Sequence, residues 1–427
     1  TLDLALALAA AAAVGHLAAR RVERGLYLGE LGIDARIRDV PGGFAAAEVA
    51  RREGASPLVA PPRTAAEAAL APGLEIRVAE RLRDLVAALT GGTPLSKPAP
   101  SQKEPSRAPR FELLNAIRGQ GAAKRALAVA AAGGHPLLFF GPPGTGKSLL
   151  ARALVELLPP PSLDDRVELT RVRSAAGAWP AELVSQRPFR APHHTTSFAG
   201  LIGGGSPVRP GEITLAHRGV LFLDELPEFK RDVLECLRQP LETGEVVVAR
   251  AMRHARFPAR FHLVGAMNSC PCGYLGHPTR ACRCGPRRVE AYRARLSGPL
   301  LDRFDLRIEV PPLASEAWSR AINGVQLDES IAMRDAVARA RERARARGQA
   351  VENAELNASA LDRVAPIDGD SRRLLERLAE RQALSLRGIA GLRRVARSIA
   401  DLEDEGDPGS PPLAVHYQEA AALRTEV

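Results

Sequence analysis

The sequence predicts an α/β fold built on a parallel sheet, followed by an all-helical segment and preceded by a smaller α/β block. Three observations carry this. Residues 110–312 alternate apolar strand patterns with helical ones. The stretch HPLLFFGPPGTGKSLLARALVELL runs from an apolar strand through a glycine-rich turn into an amphipathic helix. Residues 313–427 carry helical periodicity, as in IAMRDAVARARERARARG and SRRLLERLAERQALS, with no strand pattern.

Residues 1–96 mix Ala-rich helical runs with short β-like pieces, GIDARIRDV and PLVAP. The opening run LALALAAAAAVGHLAA is short for a bilayer span and mostly Ala. It is bounded by Asp3 and by Arg20 and Arg21, so a buried helix is expected and no membrane partner. The chain begins at Thr1 rather than Met, and this first block is expected to be truncated. Residues 97–109 are rich in Pro, Ser and charge and read as a linker. Five cysteines without a secretion signal predict a reducing, cytoplasmic compartment.

The formal charge of +10 is unevenly placed. Residues 1–96 hold eleven basic and eleven acidic side chains, whereas 110–312 hold twenty-eight basic against eighteen acidic. Codon bias explains five lysines against fifty-four arginines, but not the concentration of net charge. A basic excess confined to one segment predicts a polyanionic partner there.

One of those five lysines, Lys147, lies in Gly141-Pro142-Pro143-Gly144-Thr145-Gly146-Lys147-Ser148. Between a strand at Leu137–Phe140 and a helix, this pattern predicts a phosphate-binding loop for ATP with Mg²⁺. Backbone N–H groups turn inward on the phosphates, Lys147 reaches the β- and γ-phosphates, and Ser148 holds the metal. A second strand, GVLFLDELPEF, ends in Asp224 for the Mg²⁺ shell and Glu225 to polarise the attacking water. A third, FHLVGAMN, ends in Asn268, which suits orienting that water and is also a common strand-end cap. Arg303, in a short turn before another strand, reads as an arginine finger for a neighbouring subunit or as a plain surface ion pair.

These residues resemble the AAA+ ATPases and, more closely, the magnesium-chelatase-like ComM/YifB competence proteins. The matching words are RGQGAAKRALAVAAAGGHPLLFFGPPGTGKS, RPFRAPHHTTS, LIGGGSPVRPGEITLAHRGVLFLDELPEF, LRQPLETGEVVVAR, FPARFHLVGAMN and SGPLLDRFDLRIEVP. The resemblance continues through LSLRGIAGLRRVARSIADLE, where Arg387 takes the sensor 2 position. It implies that Asn268 is sensor 1, that Arg303 acts in trans and that residues 313–427 form a helical lid. It also implies a homo-hexameric ring working as a DNA helicase in branch migration. The first block resembles, less tightly, the Lon-protease-like (ribosomal S5 domain 2-like) domain of that family. Residues 1–96 hold no lysine and only Ser56 and Ser96 as serines, so a Ser–Lys protease is excluded there.

Two basic insertions complete the pattern. SQRPFRAPHHTTSFAGLIGGGSPVRPGE reads as loops. VVVARAMRHARFPARFHLV reads as a β-hairpin with Arg250, Arg253, His254, Arg256 and Arg260 around its tip. The resemblance implies that both face the ring's channel, where arginines would grip DNA backbone regardless of sequence. A solvated hairpin making subunit contacts is the plainer reading. Four of the five cysteines fall in NSCPCGYLGHPTRACRCGP as C-x-C-x9-C-x-C. Cys270, Cys272, Cys282 and Cys284 are expected to hold a structural Zn²⁺, with His277 in reserve. Disulfides, disfavoured by a reducing compartment, and bare thiols are the rivals. Cys236 reads as core packing. Three functions compete: an ATP-driven DNA motor, a chelatase-type protein-remodelling ATPase, and a DNA-binding scaffold. The intact nucleotide residues argue against the scaffold, and the arginine-rich hairpin favours the motor.

Overall fold

The computed structural model describes residues 3–99, 112–206, 208–250, 253–312, 327–403 and 407–426. Residues 100–109 of the linker lie outside them. The chain divides into two compact units that exchange segments. One comprises Thr1–Arg107, Pro161–Gln186 and Gly204–Pro210, and the other Ala108–Pro160, Arg187–Gly203 and Gly211–Val427.

In the first unit, three short parallel strands lie in the order Leu26–Tyr27, Leu58–Ala60, Ile76–Val78. PLVAP supplies the middle strand, all of it buried. GIDARIRDV yields only Ile37–Arg38, antiparallel to Glu30–Leu31. The Ala-rich opening folds as a helix, Asp3–Ala13, whose Leu4 and Leu8 pack with Leu17, Tyr27 and Leu85. Among the described residues, no helix is long and apolar enough to cross a membrane. The later helix Leu163–Ala175 belongs here too. Its Val167 packs on the cluster around Phe44 and Ala47, and Arg171 forks onto Glu48 at 2.6 and 2.5 Å.

The second unit is built on five parallel strands: β1 (Leu137–Phe140), β2 (Phe189–Arg190), β3 (Val220–Leu223), β4 (His262–Met267) and β5 (Leu306–Glu309). Their spatial order is β5-β1-β4-β3-β2. Every residue of β1, β3 and β4 is buried, as the unbroken apolar runs of a sheet covered on both faces require. One expectation is corrected. The stretch read as a loop insertion, SQRPFRAPHHTTSFAG, contains β2, the sheet's edge strand, which pairs with β3 through Phe189 and Arg190. FHLVGAMN is therefore the fourth strand rather than the third. Two residues show no periodicity to read, so β2 is invisible to pattern.

Beyond β5, the described residues form the helices Leu327–Ala346, Ala358–Val364, Gly369–Arg381, Leu386–Leu402 and Ala414–Ala422. Asn357, Asp368 and Ser385 cap three of these, each accepting a backbone N–H from the first turn. Leu392, Val395 and Ile399 enter the same core as Leu137 and Phe139. Polar bonds tie this segment to the sheet at the strand ends away from the loop. His135, fully buried before β1, bonds Asp305 at 2.9 Å and Ser398 at 2.8 Å.

Asp401 is a second anchor. Arg347 donates to both its oxygens at 2.5 and 2.8 Å, Arg397 at 2.9 Å and Asn353 at 3.0 Å. All three charged side chains are nearly fully buried. Asp401→Ala would leave two buried guanidinium groups uncompensated. We predict a loss of about 3–5 kcal/mol in urea unfolding, the range for breaking a buried pair from one side. A loss under about 1 kcal/mol would show the cluster to be solvated.

Candidate active site

The carboxyl edge of the five-stranded sheet gathers the sequence-predicted residues, because each directly follows a strand. Gly141 follows β1, Asp224 follows β3, Asn268 follows β4 and Val310 follows β5. Ligands of open α/β sheets bind at this edge. Gly141, at φ 145°, passes so close to β5 that a Cβ there would lie 2.5 Å from the Val310 carbonyl oxygen. The loop of Pro142, Pro143, Gly144 and Thr145 ends at Gly146, φ 91°, which caps the helix Lys147–Leu157. Thr145 Oγ1 donates to the Pro142 carbonyl at 3.0 Å and tightens the turn.

Lys147 is buried. Its Nζ donates to the carbonyls of Gly141 at 2.8 Å and Pro142 at 2.7 Å, and to Asn268 Oδ1 at 3.3 Å. Burial pulls its pKa down to about 8, against the opposing pull of Asp224. Ser148 Oγ donates to Asp224 Oδ2 at 2.9 Å. Glu225 is exposed and lies in the left-handed region at φ 51°, ψ 46°. Its carboxylate lies 3.3 Å from His194 Nδ1. That ring stacks 4.1 Å from His193 and meets Phe229 edge-on at 6.4 Å. Sequence pattern misses His194, because its segment reads as a loop.

The two catalytic arginine candidates converge on one carboxylate. Arg303 is only 7% exposed and donates to the Pro299 carbonyl at 2.8 Å and to Glu242 Oε1 at 2.6 Å. Arg387, in the first turn of Leu386–Leu402, donates to the same oxygen at 2.7 Å. Burial and the neighbouring Arg387 lower the Arg303 pKa, and the hydrogen bond from Arg387 leads in holding Glu242 low. Nothing local in sequence joins these three residues.

The hairpin forms from Glu245–Arg250 and Arg253–Pro258, with Arg250 opposite Arg253 and Val247 opposite Arg256. Residues 251–252 at the tip lie outside the described residues. Arg256 is exposed. Arg260 is not on the tip as expected: it sits past the hairpin's base against Gly244, and its N–H donates to His217 Nδ1 at 3.1 Å. The strand ends at Pro258, so Arg260 falls in the short connection between the hairpin and β4.

The four cysteines converge. Their sulfurs all lie within 4.8 Å of one another, with Cys270–Cys272 at 3.4 Å, Cys270–Cys282 at 3.6 Å and Cys272–Cys282 at 3.7 Å. None is disulfide-bonded. Backbone N–H groups of Tyr274 and Arg283 lower the Cys272 pKa. His277 is not part of the cluster, because its Nδ1 accepts the N–H groups of Thr279 and Arg280 at 3.2 Å. Cys236 lies apart, its thiol donating to the Val233 carbonyl and pushed up to about 12 by burial.

Known proteins are similar to this chain in sequence. The model of magnesium chelatase subunit ChlI matches residues 113–318, and its C-terminal counterpart matches 328–424. Competence protein ComM of Haemophilus influenzae is 40% identical over 430 residues, covering 96% of this chain and 81% of that protein. The chain belongs to the ComM/YifB family. YifB of Escherichia coli is 38% identical over 424 residues, spanning 99% of the chain and 81% of its own length. The magnesium-chelatase 38 kDa subunit of Cereibacter sphaeroides is 31% identical over 219 residues, 46% of this chain and 58% of that one.

ComM/YifB membership brings a magnesium-chelatase-like AAA+ domain, and with it ATP and Mg²⁺. The residues present fit both. Lys147 is held by two carbonyls and an amide oxygen, neutral acceptors that an anion's oxygens can replace. Ser148 and Asp224 already meet as the hydroxyl–carboxylate pair such a metal takes. When bound, Mg²⁺ would neutralise charge developing on the phosphate oxygens.

Proposed function

We propose that this chain is an ATP-driven DNA motor of the ComM type, a homo-hexameric ring that couples hydrolysis between subunits to movement along DNA. The observation that carries the reading is the meeting of Lys147, Ser148, Asp224 and Asn268 at one sheet edge, in a unit that also bears a two-stranded arginine hairpin. In this reading Lys147 leaves its loop carbonyls for the β- and γ-phosphates. Asp224 and Ser148 hold the metal shell, Glu225 takes the proton of the attacking water, and Asn268 orients that water. His194 keeps the Glu225 carboxylate turned toward the site. Arg303 and Arg387, joined through Glu242, serve the nucleotide of the neighbouring copy.

The DNA assignment draws on the +10 charge of residues 110–312 and on the arginines of the hairpin, Arg250, Arg253 and Arg256. Arg260, at the base, contributes less. The cluster of four cysteines is read as a structural Zn²⁺ site, because a shell filled by four thiolates leaves no open position for chemistry.

The test is ATPase turnover titrated with single-stranded and forked DNA at low salt. Stimulation supports the motor; turnover indifferent to every DNA form transfers the assignment to a chelatase-type remodelling ATPase, which the Cereibacter relative favours. For the double variant Arg253→Ala, Arg256→Ala, we predict weaker binding to all sequences alike. The slope of log affinity against log salt should fall by about one for each phosphate no longer gripped. An unchanged slope would take the hairpin off the DNA.

A further inference from the structure

We propose that the cysteine cluster is a zinc site built into the wall of the nucleotide loop, so that ATP binding depends on zinc. This rests on the readings of Gly141–Ser148 as the phosphate loop and of the four cysteines as metal ligands. The spacing of the sulfurs is that of a tetrahedral shell. A Zn–S bond of about 2.3 Å puts neighbouring sulfurs about 3.8 Å apart. Three pairs here lie at 3.4, 3.6 and 3.7 Å, all pairs lie within 4.8 Å, and a disulfide would bring two sulfurs to about 2.0 Å.

Two links join this shell to the phosphate loop. Cys270, fully buried, follows Asn268 by two residues, and Asn268 Oδ1 accepts from Lys147 Nζ. The CPCG turn then closes through the Gly273 N–H on the Cys270 carbonyl at 2.9 Å. That turn sets Gly273, buried and at φ 83°, directly against Pro143 of the loop. A Cβ on Gly273 would lie 2.8 Å from Pro143 Cδ and 3.9 Å from Asn268 Cγ. Glycine is required there both for the backbone angle and for the fit. Zinc fixes Cys270 and Cys272, just before Gly273, to Cys282 and Cys284 about ten residues on. Without the metal, the turn keeps only its backbone bonds, such as Gly273 N–H to the Cys270 carbonyl, and nothing joins Cys270 and Cys272 covalently to Cys282 and Cys284. Pro143 and Asn268 then lose the surface that positions them, and Lys147 loses one of its three acceptors.

The experiment uses the full chain and follows two quantities, zinc per chain by elemental mass spectrometry and affinity for a fluorescent ATP analogue in Mg²⁺. One zinc per chain is expected. A zinc-selective chelator that spares Mg²⁺ should weaken nucleotide binding at least tenfold, and added Zn²⁺ should restore it. Gly273→Ala should keep its zinc and still lose at least severalfold in affinity, because it disturbs the packing on Pro143 without touching a ligand. Cys282→Ser with Cys284→Ser should lose both zinc and affinity. A wild-type chain that takes up no zinc overturns the proposal, as does zinc removal with unchanged affinity. So does Gly273→Ala with full affinity. A zinc-loaded chain that binds no nucleotide at all sinks the nucleotide reading instead, and this inference with it.

Discussion

Glu225→Gln should reduce ATP turnover by about 10²–10⁴-fold while leaving ATP affinity within a few-fold of wild type, the range lost when a positioned general base is removed. Two features single out this carboxylate. Its backbone lies at φ 51°, where a residue with a Cβ costs roughly 1–2 kcal/mol that glycine would not. Such strain persists where the surroundings demand it, and it collects at sites of chemistry. The side chain, although exposed, is turned toward His194 at 3.3 Å. Asp224, one residue earlier, accepts from Ser148, so the two adjacent carboxylates already have different partners, as their proposed metal and water roles require. Gln keeps the size and the approach to His194 but cannot take a proton. Equilibrium ATP binding beside steady-state turnover separates the two roles. Full turnover in Glu225→Gln would remove the residue from catalysis.

Arg303→Ala should lower turnover by about 10³-fold or more, the scale on which a finger in trans acts. The side chain is buried with its Nε unpartnered, and a guanidinium so desolvated is strongly drawn to phosphate. Assembly tells trans action from cis. In rings mixed equally from Glu225→Gln and Arg303→Ala chains, about one interface in four joins an intact glutamate to an intact arginine across a head-to-tail junction. Turnover should therefore recover well above either variant alone. Mixed rings shown by mass to contain both chains, yet as inactive as the parents, would place Arg303 on its own subunit's nucleotide or remove it from the mechanism. Glu242 sharpens the expectation: with two arginines on one oxygen, losing Arg303 leaves the bond from Arg387 in place, so the local fold around Glu242 should survive.

How legible these sites are in sequence depends on how far apart their parts lie. Residues Gly141–Ser148 form a continuous motif between strand and helix, so their placement follows from pattern. Asp224, Glu225 and Asn268 are legible for the same reason, since each ends an apolar run. The cysteines announce themselves by rarity and spacing. Glu242 stands sixty-one residues before Arg303 and one hundred and forty-five before Arg387, and no periodicity spans such gaps. His194 and β2 hide in a Pro- and His-rich stretch whose composition argues for loop. Arg260 reads with the hairpin's tip because four arginines follow one another closely; Pro258 ends the strand before the last of them. The residues of the helix Leu163–Ala175 do not say that Phe44 and Glu48 are its partners.

That helix bears on how the gene could change. Because Pro161–Gln186 completes the folding unit begun by the first hundred residues, excising that leading stretch would strip Val167 and Arg171 of their neighbours. The leading stretch is thus no detachable cassette: shuffling or trimming at the linker would strand a helix in the middle of the ATPase segment, and the two halves of the polypeptide must be inherited together.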